Sequence, residues 1–290
     1  MLNLAPAPAA AIAPAFITRA PGSLMGWVAR FDHASLPVLA ATAEALAELQ
    51  ANEDAVDAHM LAEVLVADPL MVLKLLAHVA QLRRGREGSD TETVTAALVM
   101  LGIPPFFRAL GTPPTVEAQL AGQPEALRGF THVLQRSRRA ARFAKGFAVH
   151  RMDHDAEVIH EAALLHDFAE LLLWLRAPDL ALQIEHRKRA DPALRTAAVQ
   201  REFLNIELDE LEHALMLAWR LPALLVQMTD DRAAQTTAQA RNVQLAIRVA
   251  RHSAGGWDNP ALPDDVQAVA ALLNMAGDAA ERLLREIDED

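Results

Sequence analysis

The chain has 290 residues, 52% of them hydrophobic, and its 27 Lys plus Arg against 38 Asp plus Glu give a formal charge of −11. That apolar share excludes wholesale disorder, and the acidity argues against a sequence-independent nucleic-acid binder, which needs a basic footprint. Cysteine and tyrosine are absent and aromatics reach only 4%, which excludes disulfides, thiolate zinc sites and a cysteine nucleophile and makes stacking platforms for single strands unlikely.

The first 15 residues (MLNLAPAPAAAIAPA) lack a basic start and are interrupted by three prolines, so they read as a leader rather than a signal peptide. Residues 1–30 are expected to form an Ala/Pro-rich, partly disordered leader, with short extended structure between Phe16 and Phe31. From there on alanine and leucine dominate and β-branched alternation is almost missing, which predicts helix nearly everywhere. Ser35 with Pro37 is the first helix start, followed by Leu36, Leu39, Ala43, Leu46 and Leu49 at helical spacing. Asp57 opens a second helix through Val66, and Asp68-Pro69 opens a third. A polar loop over Arg83 to Asp90 leads to a helix starting at Thr91 or Thr93 and closed by Gly102 in the left-handed conformation. Pro104 to Leu110 is a further short helix.

The Pro-containing stretch from Gly111 to Pro124 divides the chain into an N-terminal helical lobe (about 31–112) and a second lobe (about 122–290). Helices are then expected over Pro124–Val149, Asp155–Asp167, Phe168–Leu175, Pro178–Ala190, Pro192–Leu204, Asp209–Trp219, from Pro222, and over Thr236–Ser253, Pro263–Leu273 and Gly277–Ile287. The fold class is all-α, with roughly fourteen helices, no strand and an acidic solvated tail from Glu286 to Asp290. No apolar run approaches the ~20 residues of a membrane helix. The most apolar stretch, Ala162 to Leu175, is broken by His166, Asp167 and Glu170. The expectation is a cytoplasmic protein without a membrane partner.

The residues with most chemical content are His166 and Asp167, an imidazole and a carboxylate side by side at the end of an apolar helix. Such a pair suits a divalent metal that activates water for attack on a phosphoester, or equally a buried pair that satisfies local backbone groups. His150, Asp153, His154, Asp155 and His160 cluster around a helix start, where capping carboxylates are routine. Arg136, Arg138, Arg139, Arg142, Lys145 and Arg151 form a basic run that reads as a solvated face paired with acids of a neighbour. The other reading of the run is a surface for a nucleotide, nucleic acid or acidic partner. Trp257, after Gly255-Gly256, reads as a loop anchor. There is no phosphate loop, GxSxG elbow or HExxH.

Five stretches, in order, resemble the HDOD family, a branch of the HD-domain superfamily. Leu36-Pro37-Val38-Leu39 is similar to its opening LP-x-LP, and Leu61 to Pro69 to its LA-x-LI-x-x-DP. Val94 to Gly102 resembles ai-x-x-LG, Ala162 to Asp167 resembles agLLHDIG, and Trp219 to Pro222 resembles W-x-LP. Phe168-Ala169 departs from the usual Ile-Gly. The resemblance spans roughly Phe31 to Leu273 and implies an all-α fold whose second lobe is HD-phosphohydrolase-like. It also implies a bacterial signalling role, usually as a regulatory or scaffold module.

Catalytic HD enzymes add a histidine on an earlier helix and an acid on a later one, so that four ligands enclose the metal. At those positions this chain carries Arg136 and Arg251, and the turn after Trp219 (Met228 to Arg232) lacks the His-His of some HD enzymes. Guanidinium stays protonated and cannot ligate a metal. A slipped alignment would bring His132 or His252 into play. The cleft candidates are therefore His166, Asp167, Arg136 and Arg251, as a vestigial metal site holding an internal ion-pair cluster or as an anion site. No catalytic residue and no cofactor is assigned; the alternative is a divalent metal at His166 and Asp167. The expected function is a non-catalytic signal-transduction module acting on signalling proteins, on a second copy of itself, or on a nucleotide or phosphate ligand. The alternative is a metal-dependent HD-type phosphohydrolase or cyclic-nucleotide phosphodiesterase.

Overall fold

In the computed structural model the described residues are 15–83, 91–230 and 237–289. The first fourteen residues of the leader, most of the loop up to Asp90, Asp231 and Arg232 of the turn after Trp219, and Asp290 lie outside them. Among the described residues there are seventeen α-helices and no β-strand. They are α1 Leu24–Val28, α2 Ala40–Gln50, α3 Ala58–Leu65, α4 Pro69–Leu82, α5 Val94–Leu101, α6 Ile103–Leu110 and α7 Val116–Gln119. There follow α8 Pro124–Arg151, α9 Ala156–Leu165, α10 Phe168–Arg176, α11 Pro178–Ala190, α12 Thr196–Leu204 and α13 Leu208–Trp219. The last four are α14 Ala223–Thr229, α15 Ala238–His252, α16 Leu262–Leu273 and α17 Gly277–Glu289.

Where a cap is local, the boundary follows the sequence. Asp57 accepts from Met60 N–H at the start of α3 and Thr93 from Ala96 N–H at the start of α5. Asp68 accepts from Leu70 and Met71 N–H ahead of Pro69 at the start of α4, each cap satisfying donors that the first turn leaves over. The start of α2 differs from expectation. Ser35 lies in a 3₁₀ turn with its hydroxyl on the Asp32 carbonyl (2.9 Å). The helix begins only at Ala40, because Leu39 N–H is held by Asp68 Oδ2 (2.8 Å) and Ala40 N–H by Glu117 Oε2 (2.9 Å). Gly102 has the expected positive φ of 82°, but its ψ of 150° is extended and leads straight into α6. Between Phe16 and Phe31 the chain forms α1 rather than extended structure, capped by Ser23, and buries Trp27 completely.

The architecture is centred on α8, about 42 Å long at 1.5 Å per residue. It packs against α9, α10, α15 and α17 and buries Phe130, Phe143 and Phe147. Gly129 lies directly under the Trp174 ring, where an added Cβ would come within 2.5 Å, so the lack of a side chain lets α8 and α10 approach. One hydrophobic cluster runs from Ile17 to Leu284. Polar ties cross the Gly111–Pro124 stretch as well: Glu161 Oε1 accepts from Val94 N–H (2.8 Å), and Arg138 Nε donates to the Ala67 carbonyl (2.8 Å). The acidic end is helical rather than a free tail. Leu284 and Ile287 sit in or against the core, and Asp288 receives two bonds from Arg139 (2.6 and 2.7 Å).

Candidate functional site

The apolar run of α9 is broken at His166-Asp167, and α10 starts immediately after. Asp167 stands at its N-terminal cap position and Glu170 in its first turn. Facing this break are Arg136, near the middle of α8, and Arg251, in the last turn of α15. Arg136 Nε donates to Asp167 Oδ2 (2.9 Å) and Arg251 Nη2 to Asp167 Oδ1 (2.6 Å), while Arg136 Nη2 reaches Glu170 Oε2 (2.7 Å). The His166 ring sits beside the carboxylate, with Nδ1 3.4 Å from Asp167 Oδ1. His166 and Asp167 are buried, the Arg136 side chain is 21% exposed and that of Arg251 46%.

Burial alone would lift the Asp167 carboxyl, but the charges of Arg136 and Arg251 outweigh it and hold it well below the usual carboxylate range. Burial opposes the charge on Arg136, and Asp167 with Glu170 more than restores it. Asp167 likewise stabilises the charge on Arg251. Two carboxylates thus face two guanidinium groups, and the cluster is close to neutral. It borders a cleft of about 750 Å³ that also touches α11 and α12, with Lys188 and Arg189 on one side and Glu207 and Glu212 on another.

The metal implied by the HD resemblance does not fit this arrangement. Each oxygen of Asp167 accepts a short bond from a guanidinium group, so an ion there would meet two fixed positive charges. Among the described residues no three His, Asp or Glu side chains converge as metal ligands. The slipped alignment does not help either. His132 is exposed on α8, and His252 Nδ1 is bonded to Asp265 Oδ2 (2.5 Å) on α16.

The other candidates separate in space. His150 and His154 are exposed, Asp153 pairs with Arg151 (3.0 Å), and His160 Nδ1 bonds the Ala141 carbonyl (3.2 Å). The basic run resolves into partners of different kinds: Arg136 on Asp167, Arg139 on Asp288, Arg151 on Asp153, and Arg138 on a backbone carbonyl. Trp257 is half-buried under the Arg285 guanidinium, 4.9 Å from its centroid. Two residues of this region were not singled out from sequence. Glu170 could have been found from its i+3 spacing to Asp167 on a helix start. Asp288 carried no such signal, since its partner Arg139 is 149 residues away.

The solved structure of the MmoQ response regulator from Methylococcus capsulatus is similar at a TM-score of 0.65 and 22% identity, covering 86% of this chain and 98% of that one. A virulence factor from Campylobacter jejuni is similar at 0.61 and 16%, with 88% and 95% covered. These likenesses speak to the fold. No curated protein matches the chain. The HDOD domain profile matches residues 36–234, a span that holds the Asp68-Pro69 turn, the α5–α6 corner and the His166-Asp167 break, and the chain belongs to the HDOD family.

Proposed function

We propose that the protein is a non-catalytic signal-transduction module that works by binding, with its HD position converted from a metal site into an ion-pair cluster. The observation that carries this reading is the double occupation of Asp167, one guanidinium group on each carboxylate oxygen. Phosphoester hydrolysis at neutral pH needs a nucleophile generated from water and charge neutralisation at phosphorus. The arginines supply charge but cannot take a proton from water, and among the described residues no three His, Asp or Glu side chains converge to hold a metal that would ionise it. A module of this kind acts through its clefts and surfaces on signalling proteins or on a second copy of itself. No described helix is long and apolar enough to cross a membrane, in keeping with action in the cytoplasm.

The test is turnover of cyclic dinucleotides, cyclic mononucleotides and a generic phosphodiester with added Mn, Mg, Fe or Ni. The expected outcome is no hydrolysis above an Asp167→Ala control. Turnover that requires Asp167 would replace this reading with the hydrolase.

A further inference from the structure

Beside the ion-pair cluster, on the far side of Arg251, lies a second cavity of about 510 Å³, within the usual size of small-molecule sites. One wall is a single face of α15. Arg241, Gln244, Arg248 and Arg251 follow one another at intervals of three, four and three residues, so they share a stripe about 15 Å long. His166 and Ala268 close the other side, and no carboxylate lines the cavity among the described residues.

The acids that hold these arginines stand behind the wall. Arg248 Nη2 is bonded to Asp265 Oδ1 (2.5 Å), and Asp265 is fully buried; Arg251 Nη2 is bonded to the buried Asp167 (2.6 Å). Each of these guanidinium groups uses one terminal nitrogen in this way, and its remaining N–H groups bond no described residue. Arg241 is exposed and has no ion pair among the described residues. Long cationic side chains fixed from behind, with free donors in front, lose little freedom when a ligand arrives.

We propose that this face of α15 is a binding site for a phosphomonoester. A phosphomonoester presents three acceptor oxygens and up to two negative charges, which suits two guanidinium forks one helical turn apart and a third cation beyond them. Among the described residues no Phe, Tyr or Trp lines the cavity and its one ring is the His166 imidazole opposite the arginines, so the phosphate group rather than a base carries the recognition. The proposal deepens the non-catalytic reading, because a phosphate at this position is held and not cleaved.

Titration calorimetry at low ionic strength with inorganic phosphate, ribose 5-phosphate, AMP and adenosine tests it, with ³¹P NMR following the esters. The three phosphates should bind and adenosine should not. Arg241→Gln, which removes an exposed side chain, should weaken phosphate binding by about fivefold or more with an unchanged melting temperature. Arg248→Gln should weaken it further where that variant folds. Equal binding of all three phosphates marks a site for the phosphate alone, and tighter AMP binding marks a nucleotide; both support the proposal. No binding of any phosphate up to about 20 mM, equal binding of adenosine and AMP, or affinity unchanged in Arg241→Gln would overturn it. Hydrolysis of the bound ester would refute the non-catalytic reading while leaving the site standing, and absence of binding would do the reverse.

Discussion

Replacing Asp167 by alanine removes an acceptor shared by α8 and α15. Breaking a buried ion pair by deleting one partner costs about 3–5 kcal/mol, because the remaining charge stays buried without compensation. Two features of the site lower that figure. Arg136 keeps its bond to Glu170, and Arg251, nearly half exposed, recovers hydration. The expected loss is therefore about 2–4 kcal/mol, or about 4–8 °C in melting temperature for a chain of this size. In urea the midpoint should fall with an unchanged slope. Replacing Asp167 and both arginines together, Asp167→Leu with Arg136→Met and Arg251→Met, should cost much less than the single change, since the charge left without its arginine, Glu170, is 35% exposed and recovers hydration. The carboxyl's depressed pKa gives the pH sign: its contribution is full above the ordinary carboxylate range and is lost as pH falls through the lowered value. A melting temperature within about 1 °C of wild type for Asp167→Ala, or a triple variant as unstable as the single one, would refute the reasoning.

Burial pushes the Glu161 carboxyl up to about 8, from an ordinary value of 4.5. Its contribution is thus full below the ordinary value and is lost as pH rises through about 8. Glu161→Gln keeps the acceptor for Val94 N–H and should flatten the fall in melting temperature that Glu161 gives the wild type between about pH 4.5 and 8. Gly129→Ala drives a methyl group into the Trp174 ring and should destabilise by about 1–3 kcal/mol, read from the urea midpoint. Asp288→Ala takes two bonds from Arg139 and should speed amide exchange along α17 while leaving α9 and α10 protected, at a cost of about 1–2 kcal/mol.

Helix starts set by the residues beside them were legible in the sequence: Asp57, Asp68-Pro69, Thr93 and Pro178 mark the openings of α3, α4, α5 and α11. The start of α2 was not, because the acceptors for its first N–H groups come from 29 and 77 residues away. Periodicity needs at least two turns to show itself, and α1 and α7 have five and four residues. Trp27 was equally hidden. A lone tryptophan in a Gly- and Pro-containing stretch has no pattern around it, and its burial depends on the Leu204 carbonyl that its indole N–H reaches (2.9 Å).

The site was legible in identity but not in connectivity. His166-Asp167 occurs in metal-dependent hydrolases and in binding modules alike, so the pair alone does not separate the two. On our reading the separation lies at positions 136 and 251, on helices 31 and 84 residues from Asp167. Two guanidinium groups there supply the formal charge that a divalent ion would supply, and they supply it as part of the chain. Asp167 remains compensated and can stay ionised in a buried position, and α8, α10 and α15 are still drawn to one point. The arrangement we propose gives up the vacant coordination position at which a metal would bind and ionise water. On the proposed reading, the fold persists around the break between α9 and α10 while the chemistry at that break becomes binding.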